Sequence, residues 1–377
     1  MTHRERVLTT LRREEPDRVP VDLGGTLAST INIHAYRALM LHLGFEADSP
    51  VAFLSRRSNS VLPDERLLQR LDVDCRAVIL GSPDASPERE LPDGSLTDEW
   101  QVLWKHLGEG RHYINADGPF ADREPEPALI ESFPWPDPLD PGRFRTLRSQ
   151  AERLRAASDA AIILVLGVGP VHQIQFMRGY AAALEDLIAA PEFVQAFLER
   201  YVDFWVRLTE RALAEVGDLV DLVMIGDDLG TQQGPVMNPA LYRRLLKPYH
   251  AQMVQVVKRF DKPILLHSCG SVAAFIPDFV EAGFDALHPI QVTARDMDTA
   301  RLKKEFGKDI TFWGAIDTHR VLPRGTPAEV RAEVRQRIAD LGPGGGYVLG
   351  SVHNVQAEVP PENILAMIEA AREFGKY

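Results

Sequence analysis

The residues of this chain best suited to chemistry lie in the segment His-Ser-Cys-Gly at 267–270. It follows the apolar run 263–266 (Pro-Ile-Leu-Leu), which is typical of a short buried strand. Side chains two residues apart on a strand point to the same face. If the extended conformation persists, the imidazole of His267 and the thiol of Cys269 therefore converge at the end of the strand. Such a pair is half of a site for a borderline-soft metal, with zinc the first expectation.

A catalytic zinc site has three protein ligands and one open position. We predict that His353, after a strand-like run near the C-terminus, supplies the third ligand. The carboxylates of Asp227 and Asp228 and the imidazole of His288 are the competing candidates. The alternative is that the histidines are buried and satisfied by backbone groups, and that Cys269 is an inert apolar residue.

Asp227 and Asp228 are adjacent carboxylates at the end of another predicted strand. Neighbouring side chains on a strand point to opposite faces, so at most one of the two should face a pocket. That residue could accept a substrate N–H, act as acid or base, or orient a metal ligand. The alternative is a turn or N-cap before the helix that is predicted to begin at Pro239.

Other polar residues follow the ends of predicted strands or lie close to them, and they are candidates for binding a substrate. Arg178 could pair with a substrate carboxylate, although such an arginine is more often part of a structural ion pair. The candidates are Asp22, His172, Gln173, Arg178, Gln232, Gln233, His288, Gln291 and Asn354.

These candidates would be positioned by an alternation of short apolar runs and longer helix-period segments. The strand-like runs are 19–23, 75–80, 162–166, 222–225, 264–267, 286–288, 311–313 and 347–349. The helical segments include 181–214, 239–260, 271–281, 298–306 and 327–339. Such alternation indicates a parallel sheet, and about eight repeats predict an α/β fold in which a single (β/α)8 TIM barrel carries its chemistry at the C-terminal strand ends. The second expectation is a doubly wound open sheet, but no G-x-G-x-x-G follows an early strand.

Two stretches interrupt the alternation. The turn sequence Pro-Asp-Gly-Ser, followed by mixed aromatic and polar residues, predicts a hairpin insertion on the barrel rim around 90–113. The proline-rich and acidic stretch 119–141 is interpreted as a surface connection rather than a domain boundary. We therefore expect one barrel domain over residues 1–377.

The overall composition excludes several classes of protein. The 377 residues carry a formal net charge of -12, which argues against nucleic-acid binding. Two cysteines are too few for a disulfide framework. We found no signal peptide and no apolar stretch near the roughly 20 residues of a membrane span. The sequence therefore predicts a cytoplasmic protein without a membrane association.

Beyond these patterns, the chain resembles the uroporphyrinogen decarboxylase superfamily. The resemblance rests on the stretches 4–8 (RERVL), 15–21 (EPDRVPV), 267–270 (HSCG), 313–317 (WGAID) and 360–364 (PPENI). It runs over nearly the whole chain and implies a single (β/α)8 barrel, with a homodimer as the assembly that the family suggests.

The superfamily holds at least two activities. True uroporphyrinogen decarboxylases are cofactor-free and carry an arginine-rich stretch after the first strand, where this chain has 22–30 (DLGGTLAST) without arginine. We therefore expect an acidic, arginine-poor barrel mouth, which suits a neutral or cationic substrate better than a tetrapyrrole with many carboxylates. His353 does match a histidine that the decarboxylases have near this point.

The other branch, the corrinoid-linked methyltransferases, has a His-x-Cys after the fifth strand and a third zinc ligand, usually cysteine, near the C-terminus. His267 and Cys269 match that pattern, and His353 stands in the third place, which makes the site less electron-rich. The resemblance implies a zinc-dependent methyltransferase that acts between a small O-, N- or S-methylated compound and a cobalamin carried by a separate corrinoid protein. In this hypothesis Asp227, Asp228 and His353 are the catalytic candidates. The alternatives are a metal-free decarboxylase and a non-catalytic barrel that binds a corrinoid or a substrate.

Overall fold

A curled sheet of seven parallel strands forms the centre of the protein. The computed structural model describes residues 1–46, 51–108 and 112–377. The strands are Cys75–Ile79, Ala161–Val168, Leu222–Gly226, Ile264–His267, Ala286–His288, Thr311–Ile316 and Tyr347–Ser351. They lie side by side in chain order, and each pair is parallel. The predicted strands 75–80 to 347–349 are therefore confirmed, with ends that differ by up to three residues.

The segment 19–23 closes this sheet into a barrel between its last and first strands. Val21 forms a parallel bridge with Leu349, and the Asp22 amide donates to the Leu349 carbonyl at 2.8 Å. On its other side the Asp74 amide donates to the Val21 carbonyl at 2.9 Å. The predicted (β/α)8 barrel is thus confirmed, although its first strand pairs over a single bridge.

The Asp74 carboxylate holds this closing segment in place. It accepts hydrogen bonds from Arg6 Nη1 at 2.6 Å, from Arg18 Nη1 at 2.7 Å and from the Val21 amide at 2.7 Å. Asp74 is fully buried, and a buried charge is tolerated when it is paired and hydrogen-bonded in this way. The first helix is consequently tied to the floor of the barrel.

Helices cover the outside of the barrel. They are His3–Leu11, Ile33–His42, Glu65–Arg70, Pro127–Ser132, Leu147–Ala157, Pro170–Arg178, Tyr180–Ala189, Pro191–Val216, Pro239–Leu245, Lys247–Lys258, Ile276–Ala282, Thr299–Phe306, Val321–Arg324, Pro327–Leu341 and Pro361–Phe374, with 3-10 turns at Pro141–Arg143 and Ala273–Phe275. The sequence predicts one helix over 181–214 and one over 239–260, and the structure has two helices in each place. Pro191 and Pro248 lie in the first turn of the second helix of each pair, where a residue without an N–H is tolerated. Among the described helices, none combines the length and the apolarity needed to cross a bilayer.

The insertion on the rim is larger than the predicted hairpin. It is a four-stranded antiparallel sheet of Arg89–Glu90, Leu96–Thr97, Leu103–His106 and Tyr113–Asp117. Residues 109–111 of the predicted insertion lie outside the described residues. A second small sheet is built from Ile31–Asn32, Phe53–Ser55 and Ser60–Val61. Residues of both sheets line a large cavity, which opens at the C-terminal ends of the barrel strands.

Candidate metal centre

Three side chains of metal-ligand type converge at the C-terminal ends of the barrel strands. The ligand atoms of His267, Cys269 and His353 all lie within 4.8 Å of one another. The His267 Nε2 atom is 3.4 Å from Cys269 Sγ. Tetrahedral zinc would hold a nitrogen and a sulfur about 3.5 Å apart, given usual bond lengths. The donor set and the spacing between His267 and Cys269 fit a zinc ion, and His353 is near enough to be the third donor.

The backbone around Cys269 is held by a close contact with the preceding loop. Gly270 has φ of +90°, and a Cβ atom there would lie 2.3 Å from the Gly230 carbonyl carbon. Ser268 Oγ accepts a hydrogen bond from the Leu229 amide at 3.0 Å. Glycine is thus required at 270, because only glycine tolerates both the positive φ and the close approach. The contact brings the loops after strands Leu222–Gly226 and Ile264–His267 together at the cluster.

A chain of hydrogen bonds determines the tautomer of His267. His288 Nε2 lies 3.2 Å from the Ser351 carbonyl oxygen, which can only accept, so that nitrogen carries the proton. Burial lowers the pKa of His288 well below its usual value, so the ring is neutral and its Nδ1 is an acceptor. His267 Nδ1 lies 2.7 Å from His288 Nδ1 and must donate to it. Burial also lowers the pKa of His267, to about 3. Its Nε2 therefore presents a free lone pair to the cluster, as metal binding requires.

Asp228 lies between the cluster and His172. Its Oδ1 accepts from the Cys269 amide at 2.8 Å and is 3.7 Å from His267 Nε2, and its Oδ2 is 3.4 Å from His172 Nε2. Burial opposes charge on His172, but the Asp228 carboxylate outweighs this and raises the pKa of His172 to about 9. Burial likewise favours neutral Asp228, yet the His172 cation holds the pKa of that carboxyl below its usual range. The two form a charged pair beside the candidate metal ligands.

Asp227 points away from the cavity, as adjacent side chains on a strand do. Its carboxylate accepts from the Val171 amide at 3.2 Å and the His172 amide at 2.8 Å, at the first turn of helix Pro170–Arg178. It also accepts from His250 Nε2 at 2.9 Å. Asp227 is fully buried, and Gly169 leaves room for it, since a Cβ there would lie 2.6 Å from its carboxyl carbon. Asp227 therefore has the contacts of a structural residue rather than of a catalytic one. The helix that it caps is not the one at Pro239, as the sequence suggested, because Asn238 caps that helix.

Two cavities meet at the cluster. The larger has a volume of about 720 Å³ and is lined by His267, His353 and Asp228 together with His172, Gln173 and Asn354. The smaller, of about 390 Å³, is lined by Cys269, His353, Gln232 and Gln291. His353 therefore faces both spaces, and the three residues of the cluster form part of the wall between them.

The remaining predicted site residues are placed in different ways. Gln291 Oε1 accepts from the Gly270 amide at 2.6 Å and supports the loop of Cys269. Gln233 is exposed and lines neither cavity. Arg178 Nε pairs with Asp186 at 2.7 Å, also outside both cavities. Arg178 therefore forms a structural ion pair and does not line a substrate cavity.

Asp22 lies inside the barrel, outside both cavities. Its Oδ2 accepts from Trp313 Nε1 at 2.8 Å, and its Oδ1 accepts from the Gly25 amide at 2.9 Å. Burial raises the pKa of Asp22 to about 6. The carboxyl thus connects the turn after the closing segment to strand Thr311–Ile316.

The expectation of an arginine-poor mouth is wrong. The large cavity is lined by Arg56, Arg57 and Arg143. The stretch 22–30 could not indicate these arginines, because they lie far from it in the chain. Acidic side chains neutralise them: Arg57 pairs with Glu88 at 3.3 Å and with Asp98 at 3.1 Å. The aromatic lining of the cavity was not predicted, although Trp100 and Trp104 in the predicted hairpin are a local signal for part of it. The aromatic lining residues are Trp100, Trp104, Tyr113, Phe176, Tyr201, Phe204, Trp205 and Phe53.

Comparison with protein families gives a match to the model described as "Uroporphyrinogen decarboxylase (URO-D)" over residues 101–374. Among curated proteins, a methylated-thiol–coenzyme M methyltransferase of Methanosarcina mazei is 23% identical over 64% of this chain and 62% of its own length. A methylcobamide:CoM methyltransferase of Methanosarcina barkeri is 26% identical over 65% of this chain and 71% of its own length. A uroporphyrinogen decarboxylase of Alkalilimnicola ehrlichii is 24% identical over 87% of this chain and 91% of its own length.

Among solved structures, a methyltransferase from Methanosarcina mazei has the same fold. It superposes with a TM-score of 0.68 at 18% identity, and the match covers 99% of both chains. At 18% identity this similarity shows the fold alone, and the activity has to be inferred from the candidate site.

Proposed function

Since this chain belongs to the uroporphyrinogen decarboxylase family, we propose that it is a zinc-dependent methyltransferase of that family. It would move a methyl group between a small O-, N- or S-methylated compound and a cobalamin on a partner corrinoid protein. The resemblance to the corrinoid-linked branch and the two methyltransferase relatives support this assignment.

The observation that carries the proposal is the convergence of His267, Cys269 and His353 on the cavity wall. These residues would hold the zinc. When bound, zinc supplies Lewis acidity to the heteroatom of the substrate, which makes that atom a better leaving group. The tautomer imposed by His288 supports the same assignment, because it leaves His267 Nε2 free to bind a metal.

The other residues of the site have separate roles. Asp228 keeps His172 protonated on the wall of the large cavity, where His172 can give a proton to the heteroatom once its methyl group has left. Gln173 Nε2 is a buried donor with no acceptor among the residues that the structure describes, and a substrate oxygen would satisfy it. Asp227 positions His172 through the helix that it caps.

A metal-free decarboxylase remains the second candidate. The relative from Alkalilimnicola ehrlichii matches a larger share of this chain than the methyltransferases do. In that case His353 and Asp228 would act without a metal. The paired arginines of the cavity argue against it, because their charges are already neutralised by Glu88, Asp98 and Glu99.

The decisive experiment measures two reactions with the same preparation. Zinc-loaded protein is incubated with methylated compounds and free cob(I)alamin, and methylation is followed by the cobalamin absorbance. Metal-stripped protein is incubated with uroporphyrinogen, and products are separated by chromatography. We expect methyl transfer that disappears on removal of zinc and no decarboxylation. Turnover of uroporphyrinogen by the metal-stripped protein would overturn the proposal.

His288→Ala is expected to weaken zinc binding about 10–100-fold, the usual effect of removing a residue that orients a metal ligand. Without His288, the proton on His267 Nδ1 loses its acceptor, and the ring no longer holds its tautomer. Competition with a chromophoric chelator measures the affinity. His42→Ala, on an outer helix, is the control and should keep the wild-type value. Equal affinities for the two variants would show that His288 does not support the site.

A further inference from the structure

The lining of the large cavity defines the chemistry of the methyl donor. Resting on the proposed methyl transfer, we propose that the substrate is a neutral aromatic methyl ether of one or two rings. In the reaction the O–CH3 bond breaks, and its electron pair stays on oxygen as a phenolate. The methyl group forms a bond to the cobalt of cob(I)alamin, which supplies the electron pair. The phenolate takes its proton from His172.

A one-carbon methyl donor is much smaller than the large cavity and does not match it in size. Its volume of about 720 Å³ falls within the range of roughly 300–1,000 Å³ that is usual for drug-sized ligands. A molecule with two heavy atoms, such as methanol, fills only about two water volumes, ~60 Å³. Most of the cavity would then hold solvent, and most of the lining side chains would make no contact with the ligand. The cavity therefore suits a substrate of several fused or linked groups.

An aromatic wall leads outward from the metal ligands. The ring of Phe176 stacks on His172, with centroids 5.5 Å apart and planes inclined by 26°. Trp104 meets Phe176 edge to face at 4.9 Å, and its Nε1 donates to Asp98 at 2.9 Å, which fixes the indole. On another part of the lining, Phe204 meets Trp100 at 4.8 Å. Flat rings gain both buried area and stacking geometry on such a wall.

The charges of the lining are paired, so the cavity offers little to an ionic ligand. Arg57 is paired with Glu88 and Asp98, and Arg143 Nη1 contacts Glu99 at 3.0 Å. Arg56 pairs with Glu90 at 2.9 Å. A carboxylate ligand would have to displace the acidic partner of an arginine. The loss of that existing ion pair would offset the attraction between the ligand and the arginine. This pairing disfavours an anion.

The same arginines disfavour a cation. Arg57 Cζ lies 4.4 Å from the centroid of the Trp104 ring, and Arg143 Cζ lies 5.3 Å from that of Phe204. A methylated ammonium would bind aromatic rings through cation–π attraction, but a guanidinium already lies close to each of these two rings. Repulsion between the like charges would add to the cost. A neutral aromatic ether avoids both penalties, and its oxygen can accept from Gln173.

Binding can be measured without cobalamin, which separates the substrate class from the methyl transfer. The wild-type protein is titrated calorimetrically with methoxybenzene and 2-methoxyphenol, and with methanol, tetramethylammonium and 4-methoxybenzoate for comparison. We expect binding of the two neutral aryl ethers and no binding of methanol at the same concentrations. Phe176→Leu should weaken aryl ether binding about 3- to 10-fold through lost stacking. Trp104→Phe should weaken it through the loss of the indole that packs against Phe176 and holds that ring in place. Phe374→Leu, on the C-terminal helix, is the matched control and should bind as the wild type does.

The outcomes distinguish the two proposals. Stronger binding of tetramethylammonium or 4-methoxybenzoate than of methoxybenzene would overturn the proposal of a neutral aromatic substrate. The absence of any binding heat with both aryl ethers would also overturn it. Aryl ethers that bind but never methylate cob(I)alamin would keep the ligand class and overturn the methyl transfer. Transfer from methanol without any binding of aryl ethers would keep the methyl transfer and overturn the aromatic class.

Discussion

Cys269→Ala is expected to abolish zinc binding and, with it, methyl transfer to cob(I)alamin. The apparent free energy of a structural zinc site is about 10–16 kcal/mol, so loss of one of three protein ligands removes on the order of 3–5 kcal/mol. That corresponds to a zinc affinity about 10²–10⁴-fold lower, since each 1.4 kcal/mol is a factor of ten. The thiol is also the one sulfur donor among the three candidate ligands. Elemental analysis of protein purified without chelators measures the zinc directly.

Cys75→Ala is the matched control, because the chain has only these two cysteines. Cys75 is fully buried in the core of the barrel, and burial raises the pKa of its thiol well above the usual value. We expect this variant to keep about one zinc per chain and its activity. Equal zinc contents in the two variants, or a wild type without zinc, would contradict the metal site and favour the metal-free decarboxylase.

Asp227→Ala is expected to lower the free energy of unfolding by about 3–5 kcal/mol. The change leaves the amides of Val171 and His172 and the His250 Nε2 proton without acceptors, and all three lie in a buried region. An unsatisfied buried donor costs about 1–3 kcal/mol, so three donors at the lower part of this range account for the expected loss. The two amides are the cap of the helix, so the loss of the cap is already included in that sum. Urea denaturation followed by circular dichroism measures the loss.

Asp203→Ala provides the comparison for this variant. Its side chain is 55% exposed on the long helix and contacts Arg207 at 3.8 Å. Such a surface change should alter stability by no more than about 0.5 kcal/mol. If Asp227→Ala unfolds like Asp203→Ala but loses all activity, then Asp227 acts in the chemistry and not as the support that its contacts indicate.

The barrel could be predicted from the sequence because its signals are local. Strand Ala286–His288 has the predicted ends, and strand Ile264–His267 is the one that the apolar run indicates. The closing segment 19–23 was harder to define, because its place depends on Leu349 and Asp74, which are distant in the chain. The breaks at Pro191 and Pro248 carry a local signal, but helical periodicity continues through them and hides it.

The convergence of His267 and Cys269 was predictable for the same reason, since two residues on one strand share a face whatever surrounds them. His353 could only be chosen from among several candidates, because its distance from His267 depends on how the barrel closes. The direction of the Asp227 and Asp228 side chains followed from strand geometry. Which of them faces the cavity did not, since that depends on the orientation of the strand within the sheet.

The sequence by itself therefore determined the alternation that builds a barrel, the pairing of His267 with Cys269 at the end of one strand, and the resemblance to a family. Only the tertiary structure decided that His353 lies beside this pair, which tautomer His288 imposes, and how the paired arginines and the aromatic wall form the cavity. The physical reason is the range of the interactions. Periodicity acts over a few neighbouring residues, whereas a cavity wall such as that of Arg57, Trp104 and Phe176 joins side chains from segments that meet only when the barrel has closed.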